Sequence, residues 1–249
     1  MRRIHYETID STNTEARRLA AADLREPLLV TAAEQSAGRG RQGREWQSPR
    51  GGAWMSLAWP ARQPPAAYAA VSLAAAAGVL RALRELAARA PQRFEVKWPN
   101  DILLDDQKVA GILCEQRLGG AHADMLIIGV GVNVNFDHAL FPGDLRHPAT
   151  TLAAALGKPL SVDAVVDNVA EHLAAALNAF EAEGLSESLL TELRESLAYV
   201  GAMRSWTGPN GPVQGRVAGL DAGGRLLLDG PTGRIACDTG EFASMPYSP

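Results

Sequence analysis

Apolar and polar residues alternate with period two over positions 4–9, so the chain opens on a predicted strand. Next comes Asp10-Ser11-Thr12-Asn13-Thr14-Glu15, in which Thr12-x-x-Glu15 has capping-box spacing and predicts a helix to about Leu24. Residues 28–33 form a β-rich run. Residues 34–52 carry no period and hold five glycines and Pro49, a long loop of the kind that is usually a functional lid or disordered. A strand over 53–59 and a long helix over 65–90, with Val79, Leu83 and Leu86 on one face, follow. A short strand over 94–98 stops at Pro99-Asn100-Asp101. Residues 102–104 and 109–118 flank the turn Asp105-Asp106-Gln107 as a hairpin, and 125–134 is a strongly apolar strand. After a polar loop over 135–148, helices are predicted at 150–156, 162–183 and near 188–196.

Beyond Tyr199 the pattern changes. Turn signals recur at Pro209-Asn210-Gly211, Asp221-Ala222-Gly223-Gly224 and Asp229-Gly230, with short strands between them. The reading is a small β-barrel behind a boundary near residue 200, dividing the chain into 1–199 and 200–249. Mixed strands and helices with long connections make the first part α+β, a mixed β-sheet packed with helices, and not a regular βαβ repeat.

Composition narrows the function classes. The formal charge is −4, which disfavours a general nucleic-acid or anionic-membrane binder. The N-terminal residues show no apolar signal-peptide core, and the Ala-rich stretch 66–90 is broken by Arg81, Arg84 and Glu85, so a cytoplasmic protein with no membrane partner is expected. Cys114 and Cys237 lie in apolar stretches without metal-ligand spacing and read as free thiols. Only three of the 24 basic residues are lysines, Lys97, Lys108 and Lys158, so each lysine is more informative than any arginine.

Gly38-Arg39-Gly40-Arg41-Gln42-Gly43-Arg44 contains G-x-G-x-x-G, but Glu45-Trp46-Gln47-Ser48-Pro49 cannot open the helix a dinucleotide fingerprint needs. What remains is a +3 loop whose guanidinium forks and N–H groups suit an anion such as phosphate; the bland reading is a solvated surface turn. Lys97-Trp98-Pro99-Asn100-Asp101 and Lys108-Val109-Ala110-Gly111-Ile112-Leu113 place two of the three lysines around one hairpin. The ammonium groups can follow a shifting oxyanion, and Asp101 offers a magnesium ligand; the alternative is a charged exposed hairpin. Gly129-Val130-Gly131-Val132-Asn133 ends an apolar strand, where glycines let a flat ligand approach and Asn133 can read an adenine edge, or else form a bulge and a loop. Asp10-Ser11-Thr12-Asn13 alone is a helix cap.

Taken together and in this order, with Gly240-Glu241 near the C-terminus, these motifs resemble the biotin protein ligases over essentially the whole chain. The resemblance implies a biotin–[acetyl-CoA-carboxylase] ligase with a C-terminal SH3-like β-barrel. It would use magnesium and ATP to make biotinyl-5′-AMP, then pass biotin to a lysine of a biotin carboxyl carrier protein. By resemblance Ser11, Thr12, Asn13 and Gln35 bind the biotin ring and tail, and Gly111 and Gly129 line its slot. Arg39, Gly40 and Arg41 close over biotin and the phosphates. Lys108 contacts the reacting carboxylate and α-phosphate. Lys97, Asn100 and Asp101 serve the ATP phosphates and the metal. Arg44, Trp46 and Asn133 serve the adenylate. Many relatives carry an N-terminal winged-helix DNA-binding domain; here the motifs begin at Asp10, so no DNA partner is expected. The sequence leaves the oligomeric state open, a homodimer included. Two rivals stand beside this reading. One is a lipoate–protein ligase, which shares the fold and acyl-adenylate chemistry but has no ureido ring to satisfy. The other is a non-catalytic nucleic-acid module using the arginine loop.

Overall fold

The computed structural model describes residues 1–20, 24–87, 93–119, 122–143, 145–209 and 211–242. Its centre is a seven-stranded sheet of β1 (Arg2–Tyr6), β2 (Leu28–Ala32), β3 (Ala53–Pro60), β4 (Phe94–Lys97), β5 (Asp101–Leu104), β6 (Gln107–Gly119) and β7 (His122–Val132). The order is β1-β2-β3-β7-β6-β5-β4. The β1/β2 pair is parallel and every other neighbour is antiparallel. All eight residues of β3 are buried, as expected of a strand covered on both faces.

Helix α2 (Val71–Leu86) packs with α4 (Val162–Glu183) and α5 (Glu187–Glu195) into the main core on one face of the sheet. The short α3 (Leu152–Leu156) precedes them. Small residues let α2 and α4 approach closely: a Cβ on Gly78 would lie 2.9 Å from the carbonyl oxygen of His172. The stretch Pro65–Leu86 is long and apolar enough to cross a membrane, yet 67% of its 18-residue apolar window is buried inside the fold. On the opposite face α1 (Thr12–Leu19) covers a smaller core of Ala16, Ala20, Leu28, Val30, Ala58, Met125 and Ile127.

A five-stranded antiparallel sheet follows: β8 (Met203–Gly208), β9 (Gly211–Leu220), β10 (Leu226–Gly230), β11 (Gly233–Cys237) and β12 (Glu241–Phe242), in the order β11-β10-β9-β8-β12. It is docked firmly. Trp98 and Trp206 lie 5.2 Å apart, Trp98 Nε1 donates to the Gly224 carbonyl (2.9 Å), and Trp206, Val217 and Leu228 belong to the main core.

Several expectations need correction. Ser11, not Thr12, caps α1, because Thr12 is already helical and the Ser11 hydroxyl accepts from Thr14 N–H. Glu15 turns to Tyr6 and Arg18 instead of completing a capping box. Strand β1 spans Arg2–Tyr6, and Ile9 keeps only an isolated bridge to Gln35. Helix α1 ends at Leu19; residues 21–23 of the expected helix lie outside the described residues. The expected helix 65–90 is a 3₁₀ turn, Pro65–Tyr68, followed by α2, since Pro64 and Pro65 withhold N–H donors; 88–90 are likewise outside, as is Asn210 of the predicted turn. Strands β6 and β7 extend further than expected, to Gly119 and His122, which pair.

Candidate active site

The site grows from strand register. Side chains two apart share one sheet face, and on the α1 side the central strands align in rows. Ser56 pairs with Gly129 and Gly129 with Leu113; Trp54 pairs with Gly131 and Gly131 with Gly111. The glycines leave room for the Asn13 and Trp46 side chains to sit directly over the backbone of this face. A Cβ on Gly129 would fall 2.0 Å from Asn13 Oδ1, and one on Gly131 would fall 2.5 Å from Trp46 Nε1. The result is a cavity of about 520 Å³, a size that fits a small-molecule substrate. Every candidate site residue of the sequence lines it: Ser11, Thr12, Asn13, Gln35, Arg39, Gly40, Arg41, Arg44, Trp46, Lys97, Asn100, Asp101, Lys108, Gly111, Gly129 and Asn133.

One end is a buried polar ladder. Thr12 donates from N–H (2.7 Å) and Oγ1 (3.0 Å) to Gln35 Oε1, and Gln35 Nε2 donates to Ser48 Oγ (2.8 Å). Ser56 Oγ lies 2.7 Å from Thr12 Oγ1 and 2.5 Å from Asn13 Oδ1. Asn13 Nδ2 donates to Glu115 Oε2 (3.0 Å), whose other oxygen pairs with Arg17 (2.9 Å) and Arg39 (3.2 Å).

The other end is cationic. Lys108 Nζ is 2.7 Å and Lys97 Nζ 3.8 Å from the carboxylate of Asp101. Burial pushes Asp101 up, but Lys108, Lys97 and Arg41 outweigh it and hold the carboxyl below its usual value. Burial lowers Lys97, and Asp101 only partly restores it. Burial, with Lys97 beside it, pushes the His147 imidazole down to about 4, so it is neutral where Nε2 meets Tyr199 OH (2.6 Å). Lys108 also sits over Trp46, 4.9 Å from the ring centroid. The buried Trp46 Nε1–H has no acceptor among the described residues. Asn133 donates to the carbonyls of Thr150 (3.1 Å) and Lys108 (3.4 Å), so its amide nitrogen is engaged by the backbone that carries Lys108.

The arginine loop lies across the opening. Gln42 and Gly43 take positive φ (57° and 73°), which folds the loop back so that Gly40 N–H meets the Arg44 carbonyl at 2.7 Å. Arg41 donates to Asn100 Oδ1 (2.8 Å) and to the Gly240 carbonyl (3.5 Å). Arg44 pairs with Glu241 at 2.5 Å, and Arg146 reaches the same carboxylate at 2.8 Å. The C-terminal sheet therefore supplies one wall. Sequence reasoning gave no role to Ser56, Glu115, Arg146, His147 or Glu241. Only Glu241 carried a signal, as half of the Gly240-Glu241 motif.

Metal chemistry has a narrow foothold. Among the described residues there is no group of three or more His, Cys, Asp or Glu able to hold an ion. The Asp101 carboxylate among the cationic groups does fit magnesium, which is commonly held by one or two carboxylates plus substrate phosphates.

Comparison with known proteins places this arrangement. The sequence profile described as "Biotin/lipoate A/B protein ligase family" matches residues 6–133, and that of the "Biotin protein ligase C terminal domain" matches 206–243. The biotin–[acetyl-CoA-carboxylase] ligase of Paracoccus denitrificans is 33% identical over 228 residues, covering 90% of this chain and 93% of its own. The bifunctional ligase/repressor BirA of Bacillus subtilis is 33% identical over 227 residues, 91% of this chain and 69% of that protein. The structure of the biotin protein ligase from Aquifex aeolicus in complex with biotin and ATP superposes with a TM-score of 0.82 at 27% identity, over 97% of both chains. The chain belongs to the biotin/lipoate A/B protein ligase family, on its biotin protein ligase branch.

Proposed function

We propose that this chain joins biotin to ATP as biotinyl-5′-AMP and then biotinylates one lysine of a biotin carboxyl carrier protein, the biotin-bearing domain of a carboxylase. In the first step a biotin carboxylate oxygen attacks the α-phosphorus, and the bond to the β-phosphate oxygen breaks to release pyrophosphate. In the second step the carrier's lysine nitrogen attacks the acyl carbon; AMP leaves and the amine loses a proton.

The attack of one anion on another needs fixed positive charge. Lys108 stands between slot and cationic end, where it neutralises the carboxylate and an α-phosphate oxygen. Lys97 and Arg41 serve the phosphates, and Asn133 holds the Lys108 backbone in register. Asp101 orients both lysines. Asp101 would hold magnesium together with the phosphates, and the ion would neutralise the departing pyrophosphate. Residues 1–199 carry the substrates, and the C-terminal sheet supplies, at Gly240 and Glu241, the wall against which the loop closes over the reactive anhydride. No DNA enters this chemistry.

The ladder favours biotin over lipoate. Three oxygen–oxygen contacts, Gln35–Thr12, Thr12–Ser56 and Ser56–Asn13, share two hydroxyl protons, because Thr12 and Ser56 bring one each. The set is therefore one donor short, and Asn13 Oδ1, the acceptor at the slot end, can take the missing hydrogen bond from a ligand. A ureido N–H satisfies it. A dithiolane ring has no such donor and would leave a buried acceptor unpaired, at about 1–3 kcal/mol. Pyrophosphate release with magnesium, ATP and biotin, without any carrier, is the expected result. Release with lipoate instead, or only when carrier is added, overturns the reading.

A further inference from the structure

The sense of the Asn13 amide is not set by the ladder itself. If the amide were reversed, Nδ2 would donate to Ser56 and all three ladder contacts would carry a proton. The ladder alone therefore favours the orientation that presents a donor where Oδ1 now lies. What opposes this is Glu115, whose Oε2 accepts from Nδ2 at 3.0 Å; a reversed amide would set Oδ1 against a carboxylate. That carboxylate is anchored by two guanidinium groups, with Arg17 and Arg39 both on Oε1 at 2.9 and 3.2 Å.

We infer that Glu115 is a positioning residue that fixes the hydrogen-bonding polarity of the slot, and through it the preference for a ring that brings an N–H. It stands one row from the row of Ser56 and Gly129, and it touches the cavity lining through Asn13 and through Arg39, of which only Asn13 carries the polarity tested below. This rests on the biotin reading above.

Glu115→Gln tests it with almost no change of shape. The introduced amide has two ways to lie. Pointing its nitrogen at Arg17 and Arg39 sets donors head-on, so the nitrogen turns to Asn13 and the Asn13 amide reverses. The ladder is then fully protonated, and the slot offers a donor to a donor. The expected result is a KM for biotin raised about 10- to 100-fold. The kcat for biotinyl-AMP formation at saturating biotin should stay within about threefold of wild type. The melting temperature of the protein without biotin should be no lower. The double variant N13D/E115Q supplies a side chain at 13 that can only accept, while the new amide at 115 donates to it; it should recover most of the lost biotin affinity, although N13D alone sets two carboxylates face to face and should not.

Wild-type protein that makes no biotinyl-AMP removes the biotin reading and this inference with it. Active wild type with an unchanged biotin KM in E115Q overturns the inference alone. So does a parallel fall in kcat and melting temperature without rescue in the double variant, since that marks Glu115 as structural support only.

Discussion

Lys108 Nζ lies 2.7 Å from Oδ1 of Asp101 at the junction between the polar slot and the cationic end of the cavity. Lys108→Ala should therefore lower the rate of biotinyl-AMP formation by about 100- to 1,000-fold, the usual effect of removing one preorganised charge-stabilising donor. Lys158, exposed after α3, is the control, and Lys158→Ala should leave the rate unchanged. Single-turnover pyrophosphate release measures both; equal effects would remove Lys108 from the chemistry.

The pH dependence has an unusual pairing of signs. Lys97 is lowered from 10.5, so activity that needs its charge should fall on an alkaline limb below that value. Between the folded and unfolded values the unfolded chain binds more protons, so this group makes stability rise with pH over the same window. Asp101 is held low, so its contribution is present above the ordinary carboxylate value and is lost as acid carries the pH through its folded value. A pH profile of kcat/KM for ATP beside a pH series of melting temperatures reads both. Lys97→Arg, which cannot titrate here, should move the alkaline limb upward.

Arg41 joins the loop to Asn100 and to the Gly240 carbonyl. Arg41→Gly should speed the escape of biotinyl-AMP about 10- to 150-fold, the equivalent of one charge-assisted hydrogen bond, while slowing its formation less. The released anhydride would then label lysines of bystander proteins. A biotin blot of an unrelated protein incubated with the variant, biotin and ATP is the check; unchanged labelling would make Arg41 a surface arginine.

Gly129→Ala should abolish tight biotin binding, because the new methyl carbon would lie 2.0 Å from Asn13 Oδ1, which Glu115 and Ser56 hold in place. Gly143→Ala meets nothing within 4 Å and should bind as wild type. Isothermal titration with biotin distinguishes them.

The parts of this site that can be read in sequence are those with local punctuation. The arginine loop, the Pro-Asn-Asp interruption, the two lysines and the Gly-x-Gly strand end each break a local pattern, and all reach the cavity. Ser56 and Glu115 break none. Ser56 is a lone hydroxyl in a strand whose two faces are both buried, and Glu115 occupies an alternating position that reads as solvent-facing. Their roles arise from register, as Ser56 opposite Gly129 and Glu115 one row along, and strand pairing is set by the whole sheet. The cap of α1 falls one residue before the position its spacing predicts, for a related reason. Ser11 and Thr12 are both good caps, and Thr12 is taken by Gln35 from the loop, a tertiary contact that local spacing does not contain.

The pair Arg44–Glu241 closes the site across 197 positions of sequence, whereas the ladder and the lysines are complete by residue 133. During synthesis, regions nearer the N-terminus emerge and fold first. A growing chain would thus own a substrate slot before it owns the carboxylate that anchors the loop. Activation and containment are separated in time, and a ribosome stalled before β12 would display a leaky enzyme rather than an inert one. Shortening the chain ahead of Glu241 should reproduce that leak.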